Sequence, residues 1–188
     1  MKNVSTATST NVSETTKKLI LASLMAAITC VGTMIIKVPT PTNGYIHPGD
    51  GFVLLSGLLL GPVWGALAAG IGSALSDLIG GYFIYVPATF IIKALTALVG
   101  YFVFVVVKKF VSSRTNPAPV IVGGIVGEVV MVAGYFLFEI FMLATVNGTS
   151  VKAGFIAATA GLIPNIIQGV FGVIIATVFY PLLNRLSK

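Results

Sequence analysis

Apolar residues fall along this chain in long blocks, each closed by glycine, proline or charge. The first block runs about Lys17–Ile36 and stops before Pro39 and Pro41, neither of which can extend a helix. Residues 40–49, TPTNGYIHPG, are turn formers and predict a loop. A second block starts near Asp50 and ends at Gly61-Pro62, giving about 11 residues, or about 17 Å of helix. That is too short to cross upright in open lipid, so it calls for shelter from neighbouring helices. Pro62 suits the first turn of a third helix, about Val63–Ile79, where Ala66, Gly70, Ser73 and Asp77 share one face. Gly80-Gly81 ends that helix. Further helices are predicted over about Pro87–Val107, Val120–Thr145 and Ala153–Leu183, the last with a bend near Pro164.

Composition turns this pattern into a fold class. The chain is 56% hydrophobic and only 9% charged, whereas a soluble domain carries roughly 25% charged residues. The blocks suit spans of about 20 residues. The expectation is an all-α multi-pass membrane protein with six transmembrane helices. Residues 17–183 form a single transmembrane domain. The Ser/Thr/Asn-rich segment 1–16 is expected to be a disordered cytoplasmic tail. Lys17-Lys18 before an apolar run superficially resembles a secretory signal, but the run is long and no A-x-A site closes it before Lys37.

The net charge of +6 raises the question of nucleic acid, but the basic residues flank apolar blocks and point to orientation instead. Lys2, Lys17, Lys18, Lys108, Lys109, Arg114, Arg185 and Lys188 fall on one side, and only Lys37 and Lys152 on the other. The positive-inside rule therefore predicts both termini in the cytoplasm, with loops 38–49, 80–86 and 146–152 outside. The one cysteine, Cys30, lies inside an apolar block and excludes an intramolecular disulfide.

Ionisable groups inside the helices carry the candidate chemistry. Each costs about 2.5–3.5 kcal/mol at mid-bilayer, so it normally faces the bundle interior and finds a partner. At 1.5 Å per residue, Asp77, Lys93 and Glu139 lie about 5, 10 and 12 Å below the outer ends of their helices. They are expected to meet in one outward-facing cavity, as ligand contacts, as an ion pair, or both. Lys93 reaching the interface on its own is the plainer alternative. Glu128, Tyr135 and Glu139 form a stripe on the fifth helix. Gly161, Asn165, Gln168 and Gly172 form a small-and-polar stripe on the sixth, where Asn165 and Gln168 can donate and accept. Interhelical hydrogen bonding is the competing role for these amides. The outer loops add Asn43, Tyr45, His47, Asp50, Tyr82 and Tyr85, whose rings also suit interfacial anchoring. His47 has no second His or Cys nearby, so no metal site is expected.

The sequence lacks a G-x-x-x-x-G-K-[ST] loop, H-E-x-x-H and G-x-S-x-G. No catalytic residue, bound cofactor or nucleic-acid partner is expected.

The stretch GYIHPGDGFVLLSGLLLGPVWGALAAGIGSALSDLIGGY, followed by YVPATFIIKAL, is similar to one found in substrate-binding S components of energy-coupling factor (ECF) vitamin transporters. The resemblance covers residues 17–183. It implies capture of a vitamin from outside, closure of the outer loops and toppling of the protein in the bilayer. A transmembrane coupling subunit and two ATPase subunits drive the cycle, so ATP is used by partners and not by this chain. It also implies a docking face of small residues on the first helix. LASLMAAI offers Ala22-x-x-x-Ala26 and Ser23-x-x-x-Ala27, and both registers stay open.

The substrate-site expectation comprises Asn43, Tyr45, His47, Asp50, Asp77, Tyr85, Lys93, Tyr135, Glu139, Asn165 and Gln168. A vitamin B6 form or a hydroxymethylpyrimidine fits this set first. Pantothenate, with its carboxylate on Lys93, and riboflavin, stacked on tyrosines, are the alternatives. A secondary transporter working alone and a purely structural membrane protein are the readings of another class.

Overall fold

A computed structural model describes residues 4–111, 113 and 115–186. Six helices occupy the described residues: α1 (Val4–Ile35), α2 (Asp50–Leu60), α3 (Pro62–Gly80), α4 (Val86–Lys109), α5 (Ala118–Val146) and α6 (Val151–Leu186). Between α1 and α2 the chain makes a two-stranded antiparallel hairpin, β1 (Val38–Pro39) with β2 (Tyr45–Ile46), in the register Val38 opposite Ile46. Its turn holds Asn43 at φ 63°, a left-handed conformation that asparagine tolerates better than most residues.

α1, α3, α4, α5 and α6 stand side by side in that order and form a curved wall. α2 lies inside the curve, against α1, α3, α4 and α6. Val53, Leu54 and Leu55 of α2 are 2% exposed or less, so the short helix is sheltered by protein, as its length demands. The other five helices are long and apolar enough to cross a membrane, and they keep large hydrophobic side chains on their outer faces. The expectation of six spanning helices thus resolves into five long candidate spans around one short enclosed helix.

Helix ends follow the local sequence. Gly61 takes φ 80°, and Pro62 opens α3 at its first turn. Gly81 caps α3 in a left-handed conformation, and the N–H of Tyr82 bonds the carbonyl of Asp77 at 2.9 Å. This cap fixes Asp77 and Tyr82 beside each other. α6 is one element through both Pro164 and Pro181. α1 begins at Val4, not at Lys17, so the helix extends into the segment expected as a tail, and its apolar run starts at Leu19. Met1–Asn3 of that tail, and Lys2, Arg114 and Lys188 of the charge asymmetry, lie outside the described residues.

Candidate functional site

One cleft opens among the hairpin loop and α3, α4, α5 and α6, with about 370 Å³ of space counted together with its open mouth. Two carboxyl groups and four tyrosines dominate its wall. Asp77 accepts a hydrogen bond from the Tyr45 hydroxyl at 2.7 Å, and Ser76 Oγ lies 3.0 Å from that hydroxyl. On the opposite side, Thr42 Oγ1 donates to Glu139 Oε1 at 2.9 Å, and the Tyr85 hydroxyl donates to the Thr42 carbonyl at 2.6 Å. Thr89 of α4 and Tyr135 of α5 pair through their hydroxyls at 3.0 Å. Lys37 Nζ sits 4.3 Å from the centroid of the Tyr45 ring and 5.4 Å from that of Tyr82, a cation–π arrangement at the mouth. Among the described residues, no lysine or arginine lines the cleft itself.

His47 also lines the cleft. Its Nδ1 accepts from the Gly49 N–H at 3.1 Å, and its backbone N–H donates to Gln168 Oε1 at 2.9 Å. Loss of hydration pushes the imidazole down to about 3; nearby Asp50 opposes this, and Lys93 and Lys37 add to it. A neutral ring suits the Gly49 contact, because a protonated Nδ1 would face another donor.

Beneath the cleft is a second polar cluster of different character. Lys93 and Asp50 form an ion pair with both side chains fully buried. Gln168 Nε2 donates to the other Asp50 oxygen at 2.8 Å. Asp50 opens α2, where the helix dipole favours a negative charge. Lys93 lies one helical turn beyond Thr89, so it is about 5 Å deeper than the cleft wall.

The expected site residues therefore divide. Tyr45, His47, Asp77, Tyr85, Tyr135, Glu139, Asn165 and Gln168 do meet at one cleft. Asp50 and Lys93 do not line it, and Lys93 pairs with Asp50 instead of Asp77 or Glu139. The depth estimate put Lys93 level with Glu139, but the aspartate at the buried start of α2 is the carboxylate it reaches. Asn43 is exposed in the hairpin turn and also stands apart. Glu128, 5% exposed, lies below, with neither carboxyl oxygen hydrogen-bonded. Thr40, Gly44, Tyr82 and Thr89 complete the cleft wall, and Thr42 braces it from behind. Threonines in a turn-rich loop and in a helix carry no signal of their own; only the charges they serve could have drawn attention to them.

Comparison with known proteins decides the family. Residues 13–186 match the family described as ECF-type riboflavin transporter, S component. The protein belongs to this family. An uncharacterised "gap 3′ region" protein of Pyrococcus woesei is 34% identical over 146 residues, covering 77% of this chain and 86% of that one. A solved structure of the S component of a bacterial ECF transporter superposes with a TM-score of 0.67 at 25% identity, over 93% of this chain and 99% of that one. The S component for biotin of an ECF-type ABC transporter shares the fold, with a TM-score of 0.61 at 18% identity over 90% and 93%. The chain is thus the substrate-binding subunit of an ECF vitamin transporter in the cell membrane, a transport protein and not an enzyme. Its partners are the coupling subunit and ATPases of such a transporter.

For an S component, the two small-residue registers of α1 have different surroundings. Ala22 and Ala26 are 7% and 8% exposed and face the bundle. A Cβ added at Gly72 of α3 would collide with the Ala26 carbonyl, so the two backbones touch there. Ser23 and Ala27 are exposed on the other side of the helix. The Ala22/Ala26 register is therefore already used inside the protein.

Proposed function

We propose that this S component binds riboflavin in the cleft beneath the 38–49 loop. The match to the riboflavin S-component family over residues 13–186 carries this reading. The cleft chemistry supports it. Tyr45, Tyr82, Tyr85 and Tyr135 offer aromatic surface for a flat ring system, and Asp77, Glu139, Asn165 and Gln168 offer polar partners for its edges and hydroxyls. The vitamin B6 and hydroxymethylpyrimidine forms placed first on residue chemistry alone give way to riboflavin. Pantothenate loses its proposed anchor, because Lys93 is committed to Asp50.

The cleft faces outward and both termini are cytoplasmic in this reading, which rests on the asymmetry of lysines and arginines along the sequence. The coupling subunit docks on the exposed Ser23-x-x-x-Ala27 face of α1, next to an apolar groove that Phe52 of α2 lines between α1 and α6. The coupling subunit and two ATPase subunits then complete the transporter. Titration of the purified protein with riboflavin, followed by quenching of flavin fluorescence, tests the substrate. Saturable binding that pyridoxine and hydroxymethylpyrimidine do not displace is expected; displacement by either of them would overturn the assignment. Uptake into liposomes by the chain alone would instead point to a self-sufficient transporter.

A further inference from the structure

Glu139 divides its two oxygens between different neighbours. Oε1 accepts from Thr42 Oγ1 at 2.9 Å, and Thr42, 1% exposed, belongs to the loop over the cleft. The Tyr85 hydroxyl, donating to the Thr42 carbonyl at 2.6 Å, holds that loop residue from its other end. Oε2 is buried and makes no hydrogen bond of ordinary geometry, although the residue lines the cleft at 3% exposure and the Tyr85 hydroxyl also interacts with this carboxyl group. Across from it stands Gly161 of α6, where an added Cβ would lie 2.5 Å from Oε2. A glycine here lets the α6 backbone come close to this oxygen, and any larger residue would collide with it.

A buried acceptor without a donor costs free energy, more so on a carboxyl group. A ligand that supplies an N–H or O–H at this point removes that cost. We infer that Glu139 is a specificity-determining residue that joins ligand to loop: Oε2 accepts a hydrogen bond from an N–H or O–H of the bound vitamin, while Oε1 is held by Thr42. Thr42 does not touch the ligand; it is a positioning residue that acts through Glu139. This rests on the riboflavin reading, and riboflavin carries such donors in its imide N–H and ribityl hydroxyls.

The test measures riboflavin affinity and dissociation rate by flavin fluorescence on the full-length purified protein. Glu139→Gln turns one acceptor into a donor and is expected to weaken binding about 10- to 100-fold. Gly161→Ala keeps the carboxyl but crowds Oε2, and weakens binding in the same direction. Thr42→Val speeds dissociation several-fold, and Thr42→Ser restores the wild-type rate. Added to Glu139→Gln, Thr42→Val costs less than a further twofold, since its effect passes through the residue already changed. Wild-type binding that Glu139→Gln and Gly161→Ala both leave within twofold would remove this inference and leave the substrate reading standing. Independent, multiplying effects of Thr42→Val and Glu139→Gln would remove the link to the loop. A wild-type chain that does not bind riboflavin ends both the substrate reading and the inference.

Discussion

The cleft and the cluster beneath it both hold carboxyl groups, in opposite conditions. In the lower cluster Lys93, Asp50 and Gln168 satisfy one another, and Lys93 and Asp50 are fully buried. In the cleft, Asp77 and Glu139 are served by hydroxyls from Tyr45 and Thr42, and Glu139 keeps one oxygen without a partner. A closed ion pair has little left to offer a ligand. A carboxyl group steadied on one side only does. Charge inside a membrane protein therefore does not by itself mark the binding wall, and an unpartnered carboxyl oxygen points to it only where the residue lines the cleft, as Glu139 does and Glu128 does not.

The comparison breaks most severely at Lys93. Lys93→Met leaves Asp50 buried without its cation, and removal of one partner of a buried pair costs about 3–5 kcal/mol. A large fall in melting temperature in detergent is expected, and an unchanged melting curve would mean that the lower cluster is not structural. Asp77→Asn is gentler. It weakens a hydrogen bond to a charged group worth about 1.5–3 kcal/mol, so the Tyr45 loop loosens and riboflavin binds about tenfold more weakly. Stability should change less than with Lys93→Met; the reverse order would erase the distinction between the two regions.

The two faces of α1 allow the same contrast. Ala26→Leu overpacks against α3 and costs about 1–3 kcal/mol of stability. Ala27→Leu leaves stability and riboflavin binding intact and lowers co-purification with the coupling subunit. Retained assembly in Ala27→Leu would move the docking face elsewhere. The smallest effect is with pH. His47 has a folded pKa below its ordinary value of about 6.5, so the unfolded chain binds the extra proton first. The contribution is complete above pH 6.5 and declines as pH falls toward 3. Melting temperature should drop modestly between pH 7.5 and 5.5, and His47→Asn, which keeps an acceptor for Gly49, should flatten that slope.

Much of the architecture was legible because hydrocarbon permits few alternatives. The lengths of the apolar blocks, the Gly61-Pro62 corner and the need to enclose an 11-residue helix all follow from backbone satisfaction in lipid. The inward stripes on α5 and α6 followed from helical spacing: Tyr135, Glu139, Asn165 and Gln168 all line the cleft. Pairing was not legible. Helix depth ranks groups along the membrane normal, but Lys93 chose Asp50 through the lateral placement of α2, which depth does not encode. Thr42 escaped notice for a related reason: a threonine in a turn-rich loop gains meaning only when folding sets it 2.9 Å from a carboxyl oxygen 97 positions away. Which small residues of α1 pack against α3 likewise emerged only from the fold.

The Lys93–Asp50 pair also has an electrical consequence. A charge moved through the membrane potential does work of about 2.3 kcal/mol per 100 mV. The toppling implied by resemblance to other S components would carry this cluster along with the rest of the body. Because lysine and aspartate travel together with no net charge, that part of the journey is voltage-silent. Any gating charge in the cycle would come from ionised groups outside this pair, among them Lys37 at the mouth, the cleft carboxyls and Glu128.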